Sequence, residues 1–564
     1  MAAPRISVAE GVRQLAPGET VNWDRETDVI VVGFGGAGAC AAIEARAAGA
    51  DVLVIDRFDG GGATAYSGGI VYAGNTAVQD RLGVKDDVAT MRAYLETELG
   101  DAISPETLQR FCEESRADVD WLMGLGMPYG GGLFTAKAHY PTMTSSLYYS
   151  GNEKQLEQAA GVKAAARGHR ALGDGYTGHA FYKVLREAAL RNGAQLLAHA
   201  PVTRLILDAN GAVVGVEARP VAPGEVGRHQ KLYNAVSPHR PLNAAGQDRT
   251  IARIRELEST RSAEPLLIRA RKGVIVSTGG YVFNREKLAQ HRPDLARHLR
   301  GIVRLGAVSD DGSGIELGQA AGGAVKMIDN VFLNRSIAPP LSLVYGIAVN
   351  AKGERFLNED AYTGHLGAAI SKQPGGTAWL ILDRSKFIAA MAQTARPRRW
   401  TEFKVLYAPN LLNILGGGTR FAMSLRKLAR RIGVPYDALE ASVAQNNAAA
   451  ATGKDPMGKL TETLKPIEGG PYVAISLALG NRYSFSKLFT LSGLAVSEET
   501  GGVLREDGQP LPGLYAAGRA AAGLCAVGYI SGMSLSDCVF SGRRAGRCAA
   551  SAQSPAAEAA ARAG

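Results

Sequence analysis

At 564 residues the chain is longer than one hydrophobic core organises, so two domains, or one large domain interrupted by a second, are expected. Hydrophobic residues at 46% and charged residues at 21% are the balance of a soluble globular protein, and no stretch resembles a signal-peptide core or an unbroken membrane span, which reads as cytoplasmic. The net charge of +10 comes from arginines spread along the chain rather than clustered with aromatics, which argues against a nucleic-acid partner.

The first ordered signal is the apolar, β-branched run Val29 to Val32, a buried strand ended by Gly33-Phe-Gly35-Gly36-Ala37-Gly38, with the Ala-rich helix Ala37 to Ala48 behind it. Gly33 permits the tight turn, Gly35 lets the backbone approach a pyrophosphate, and Gly38 lets the helix pack on the sheet with its positive N-terminus toward the phosphates. A second strand, Val52 to Ile55, ends in Asp56, about 20 residues past the glycines, where a carboxylate accepts from ribose hydroxyls. Directly after it comes Gly60-Gly61-Gly62-Ala63-Thr64-Ala65-Tyr66-Ser67-Gly68-Gly69. A nicotinamide site has no need of this second loop, whereas the longer FAD uses its backbone N–H groups, so FAD is the expected cofactor.

Helices are expected from about Asp87 to Leu125, then a Gly/Ser/Tyr-rich stretch from Tyr129 to Gly151 whose tyrosines, with Trp121, suit either an apolar pocket or the core. Leu196 to Arg219 reads as a hairpin about Asp208-Ala-Asn-Gly211. Residues 222–265, charged and weakly periodic, read as a surface insertion. Order resumes with the strand Arg271 to Thr278, ending in Gly279-Gly280, and with Asp311-Gly-Ser-Gly314 leading into a helix through Ala321. Between Asp329 and Gly480 the strand-and-Gly pattern stops, which suggests an inserted domain. Near the C-terminus, Gly513-Leu-Tyr-Ala-Ala-Gly518-Arg519 is a strand ending in Gly, and a helix runs from Ser531 to Arg547. The expected domains are FAD-binding over 24–328 and 480–550, a substrate cap over 329–479, and a loose tail over 551–564. Cys40, Cys112, Cys525, Cys538 and Cys548 form no CxxC or CxxCH motif, and the histidines show no ligand spacing, so no metal, cluster or covalent haem is expected.

Together these motifs resemble the fumarate reductase/succinate dehydrogenase flavoprotein superfamily and, within it, the 3-ketosteroid dehydrogenase branch that also includes cyclohexanone dehydrogenases. The resemblance implies an α/β fold: a Rossmann-like FAD domain of the GR2 type with an inserted α+β capping domain that opens at Gly353-Glu-Arg-Phe-Leu-Asn-Glu359. It extends the cofactor contacts to Arg57, Gly62, Ala63, Thr64, Ser67, Gly68, Gly69, Val202, Thr278, Gly279, Gly518, Arg519, Ser534 and Leu535. Dicarboxylate enzymes of the superfamily clamp substrate with a His in a His-Thr-x-Gly-Gly turn and an Arg before the last helix. Here those stretches read Phe489-Thr-Leu-Ser-Gly493 and Gly528-Tyr529-Ile-Ser531-Gly532, so the anion clamp is missing. The second Gly-rich loop lacks the His that bonds covalently to flavin in the membrane enzymes, so FAD is expected to be non-covalent.

Tyr529-x-Ser531-Gly532 is similar to the Tyr-x-Ser-Gly motif of the branch that oxidises the 4,5-bond of 3-ketosteroids, and Tyr345 suits the position of that branch's second tyrosine. Such chemistry removes an α-proton, holds an enolate and passes the β-hydrogen as hydride to flavin. Tyr529 is the expected base, with Ser531 or Tyr345 relaying the proton. The partners are then a small apolar cyclic ketone, of open ring count, and an external acceptor such as a quinone, O2 or an electron carrier. An enone or fumarate-type reductase running the opposite way, and a flavin-binding sensor without turnover, remain the alternatives.

Overall fold

The computed structural model describes residues 7–553 except 137–139, 240–243, 396–399, 401–402, 404–406, 482 and 484–485, so most of the expected tail lies outside the described residues. Its centre is a sheet that runs in space from the strand Gly11–Gln14 through Val202–Leu207, Val213–Ala218, Leu266–Val276, Arg25–Val32 and Val52–Ile55 to Gln195–Leu197. Val29 to Val32 have almost no exposed surface, because both faces of this parallel region are covered. Pro510–Ala516 adds to the inner half of Leu266–Val276, pairing Val274 with Leu514 in parallel, so the last strand of the chain lies beside one of the middle ones.

The expected hairpin forms: Val202–Leu207 and Val213–Ala218 pair antiparallel across the turn at Asp208 to Gly211, where the Asp208 carboxylate accepts from Asn210 and Ala212 N–H. The helices Gly36–Ala47 and Met533–Ser551 cover one side of the sheet and lie in backbone contact. A Cβ on Gly542 or Gly546 would stand 2.5 or 2.3 Å from the Ala37 or Ala41 carbonyl oxygen, so only glycine allows this approach.

The segment 222–265 departs from the expectation of a surface insertion. It forms two helices, Val226–Ala235 and Ala244–Thr260, whose Tyr233, Ile251 and Ile254 join the main core and whose Leu257, His229 and Glu258 are buried. Its buried face is partly polar, which is why hydrophobic periodicity alone understates it.

In the expected cap region, Ile347–Val349, Trp379–Leu382, Tyr472–Ser476 and Thr419–Ala422 build an antiparallel sheet, with Leu425–Ile432 and Tyr436–Thr452 packed on one face. Arg355 braces it through Glu359 (2.7 Å) and Asp455 (2.6 Å), and buried Lys459 adds a third contact to Glu359 at 3.2 Å. A three-stranded sheet of Ile302–Arg304, Ser486–Thr490 and Val331–Asn334 lies between this sheet and the central one in the chain's connectivity and lends side chains to the site. No helix among the described residues is long and apolar enough to cross a membrane.

Candidate active site

At the carboxyl end of Arg25–Val32 the chain turns through Gly33 (φ 99°) into the helix Gly36–Ala47. Gly38 sits under that turn, where a Cβ would fall 2.0 Å from the Gly33 carbonyl oxygen; its role is packing, and it does not line the cavity. Asp56 accepts from Phe34 N–H at 2.6 Å and Phe58 N–H at 2.7 Å, which fixes its carboxylate at the cavity wall. Thr64 ties the second loop to the first by accepting from Gly36 N–H at 2.9 Å.

One continuous cavity joins these loops to the Tyr529 region, and most of the expected cofactor residues line it. Gly69 does not: at φ 66° its missing Cβ would meet Thr177 backbone at 2.7 Å. Arg57 reaches the cavity, but its guanidinium is committed elsewhere, to Glu258 at 2.6 Å and Asp311 at 2.8 Å. Val202, Thr278, Gly279 and Gly518 close the wall along the strand ends, and Ser534 and Leu535 border it from the first turn of the last helix.

The wall fits a dinucleotide. A Cβ on Gly35 or Gly62 would meet nothing nearer than 3.9 Å, so a side chain there would enter the cavity rather than strike protein. Arg519 holds Asp310 at 3.2 Å with one guanidinium nitrogen, while its buried Nη1 has no hydrogen-bond partner and borders the same space. The N-terminal ends of two helices, at Gly36 and Met533, both meet the cavity margin, where helix dipoles favour negative charge.

The far wall is aromatic. The Tyr529 ring lies 4.5 Å from Phe332, 5.0 Å from Phe489 and 6.4 Å from Tyr362 between centroids, and all four line the cavity. Ser531, two residues on, also lines it and shares a 3.1 Å hydrogen bond with the buried Tyr148 hydroxyl. Ser150 Oγ donates to the Ser531 carbonyl at 3.0 Å and steadies the turn. Burial pushes the Tyr529 phenol well above its ordinary range despite the opposing Arg519 charge. Burial does the same to Tyr148 and Tyr362.

Tyr345 ends a short 3-10 helix and is not among the cavity residues. Among the cavity's tyrosines the one packed beside Tyr529 is Tyr362, which the motif reading missed although it stands three residues past Glu359 of the Gly353 to Glu359 run. Tyr148 lay within the Tyr-rich stretch, where nothing in its neighbours distinguished it from Tyr149, which is not a cavity residue either.

A glycine-lined dinucleotide cradle opening onto an aromatic substrate wall defines an FAD-binding flavoenzyme. The chain belongs to the family described as FAD binding domain, whose model matches residues 28–535. It is similar to the 3-oxo-5-alpha-steroid 4-dehydrogenase of Comamonas testosteroni, at 33% identity over 518 residues that cover 90% of this chain and 95% of that one. A crystal structure of the 3-ketosteroid-delta4-(5alpha)-dehydrogenase of Rhodococcus jostii RHA1, in complex with 4-androstene-3,17-dione, superposes with a TM-score of 0.78 at 31% identity, covering 96% of this chain and all of that one. The fumarate reductase (cytochrome) of Shewanella frigidimarina is a more distant relative, 26% identical over 95% of this chain and 78% of its own length. The chain is thus a member of the fumarate reductase/succinate dehydrogenase flavoprotein superfamily, on its ketosteroid dehydrogenase branch, and an FAD-dependent oxidoreductase acting on CH–CH groups.

Proposed function

We propose that the protein desaturates the 4,5-bond of a 3-ketosteroid. The observation that carries this reading is the Tyr529–Ser531 pair on an apolar wall of Phe332, Phe489 and Tyr362, a surface suited to a flat ring system. The steroid named in the description of two relatives above 30% identity supports the same substrate class over a single-ring cyclohexanone.

FAD, held without a covalent link, supplies the hydride acceptor for the β-hydrogen. Burial favours the protonated phenol, which supports placing Tyr529 at the ketone oxygen as a donor, with the base's role expected from the motif as the alternative. At the ketone oxygen it stabilises the developing enolate by about 3 kcal/mol. Ser531 accepts the α-proton as its own hydroxyl proton passes to the Tyr148 oxygen and the Tyr148 proton passes on to a base in solvent, so that neither hydroxyl is left charged. Tyr362 narrows the slot beside Tyr529 and fixes the ring against it.

The test is anaerobic mixing of the yellow protein with a saturated 3-ketosteroid or with cyclohexanone. Bleaching of the oxidised flavin band by the steroid, slowed about 100-fold or more in Tyr529→Phe, supports the reading. Bleaching by neither, with re-oxidation of the dithionite-reduced protein by an enone or fumarate, sinks it and makes the protein a reductase.

A further inference from the structure

The cavity wall carries one feature that ketone desaturation does not use. Lys487 and Phe489 alternate with Leu488 on the strand Ser486–Thr490, so both face the cavity while Leu488 faces the core. Phe489 touches Tyr529, and Lys487 stands two residues, about 7 Å, further along the same strand. Its ammonium donates to the Tyr176 hydroxyl at 3.3 Å and lies 5.5 Å from the centre of that ring, which stacks on His239 at 5.2 Å. Asn334, directly opposite in register, also lines the cavity, and its amide donates to Thr363 at 2.6 Å. No ion pair joins Lys487 to a carboxylate of the described residues. His239 is exposed, so solvent reaches this part of the cavity.

A half-buried ammonium with aromatic and neutral neighbours leaves donors directed at whatever fills the cavity, and a charge-assisted hydrogen bond there is worth more than a neutral one. The cofactor's phosphates have their own cradle at Gly35, Gly36 and Thr64. On the desaturase reading above, we infer that Lys487 is a specificity residue: the substrate is a ring ketone bearing a carboxylate at the end remote from the ketone. The ketone lies at Tyr529 and the rings on Phe489 and Phe332. The carboxylate reaches Lys487 in this solvent-reached part, where its remaining hydration costs little to keep.

The test compares a 3-ketosteroid carrying a side-chain carboxylate with its methyl ester, in the wild-type holoenzyme and in Lys487→Met and Lys487→Arg, with rates expressed per bound flavin. The expected result is a carboxylate-to-ester ratio of kcat/KM that falls about tenfold in Lys487→Met, carried by KM, recovers in Lys487→Arg and shrinks at high salt. An unchanged ratio, an equal loss on both substrates, or loss of flavin from Lys487→Met overturns the inference while the desaturase reading stands. Failure of the wild type to turn over either steroid overturns both.

Discussion

The Tyr148 hydroxyl lies 3.1 Å from that of Ser531, a residue 383 positions later in the chain. Tyr148 comes from the small sheet strand Ser145–Tyr148 and Ser531 from the turn before the last helix, so the bond joins two separately built parts of the site. Replacing Tyr148 with Phe removes one hydroxyl and little volume. The expected effect is a fall in kcat on the order of tenfold or more with KM nearly unchanged and flavin content retained, read from steady-state kinetics with an artificial acceptor. A matching rise in KM would mean that Tyr148 acts only by holding Ser531 in place.

The protonation state of Tyr529 separates two mechanisms. Were the phenolate the base, kcat would climb with pH toward a phenol pKa that burial has raised above its usual ~10. With a neutral phenol donating to the ketone, Tyr529 contributes no such limb between about pH 6 and 9. Primary-isotope-sensitive flavin reduction, followed across that range by stopped flow, distinguishes a tenfold rise per unit from a flat profile.

Arg57 is the hub of a buried network beside Asp56 in the cradle wall. Burial pushes the Glu258 carboxyl up, but Arg57, His229 and Arg255 outweigh it and hold it well below the usual carboxylate range. Arg57→Met would leave Glu258 and Asp311 buried without their shared cation, a loss of about 3–5 kcal/mol. Thermal unfolding of the flavin-free and flavin-bound forms should both shift down. Loss of FAD affinity with unchanged stability would instead make Arg57 a direct cofactor contact.

His169 gives the fold an acid limit. It is fully enclosed, with Nε2 2.8 Å from Thr76 Oγ1 and Nδ1 2.8 Å from the Arg167 carbonyl, and burial pushes its pKa down to about 4. Because the unfolded imidazole titrates near 6.5, the unfolded state binds the proton first. Stability from this residue is therefore complete above pH 6.5 and lost as pH falls toward 4, by about 3 kcal/mol in all. Denaturant titrations at pH 7 and pH 4.5 measure the difference, and a His169→Gln variant that retains the whole drop would assign it to other groups.

The cofactor half of the site was legible because its constraints are local. A turn such as Gly33 to Gly38 needs its glycines within one strand-helix junction, and the second loop announces itself by composition. The substrate half was only partly legible, since Tyr529 and Ser531 share a short motif whereas Phe332 and Tyr362 on the wall, and Tyr148 behind Ser531, arrive from three separate elements. Tyr345 and Tyr362 both border the same motif run, and only tertiary packing decides that Tyr362 faces the cavity. The 222–265 helices were misjudged because their inner face buries His229 and Glu258 among apolar residues, a pattern that reads as solvent-facing in one dimension.

The close seating of Gly542 and Gly546 on the Ala37 and Ala41 backbone has a temporal corollary. The helix that opens the flavin-binding domain finds its partner only once Met533–Ser551 has been made, about 500 residues later, and the strand Pro510–Ala516 arrives scarcely earlier. Until then the glycine loops lack a roof and one wall. A chain lacking Met533–Ser551 is therefore expected to lack part of the flavin cradle.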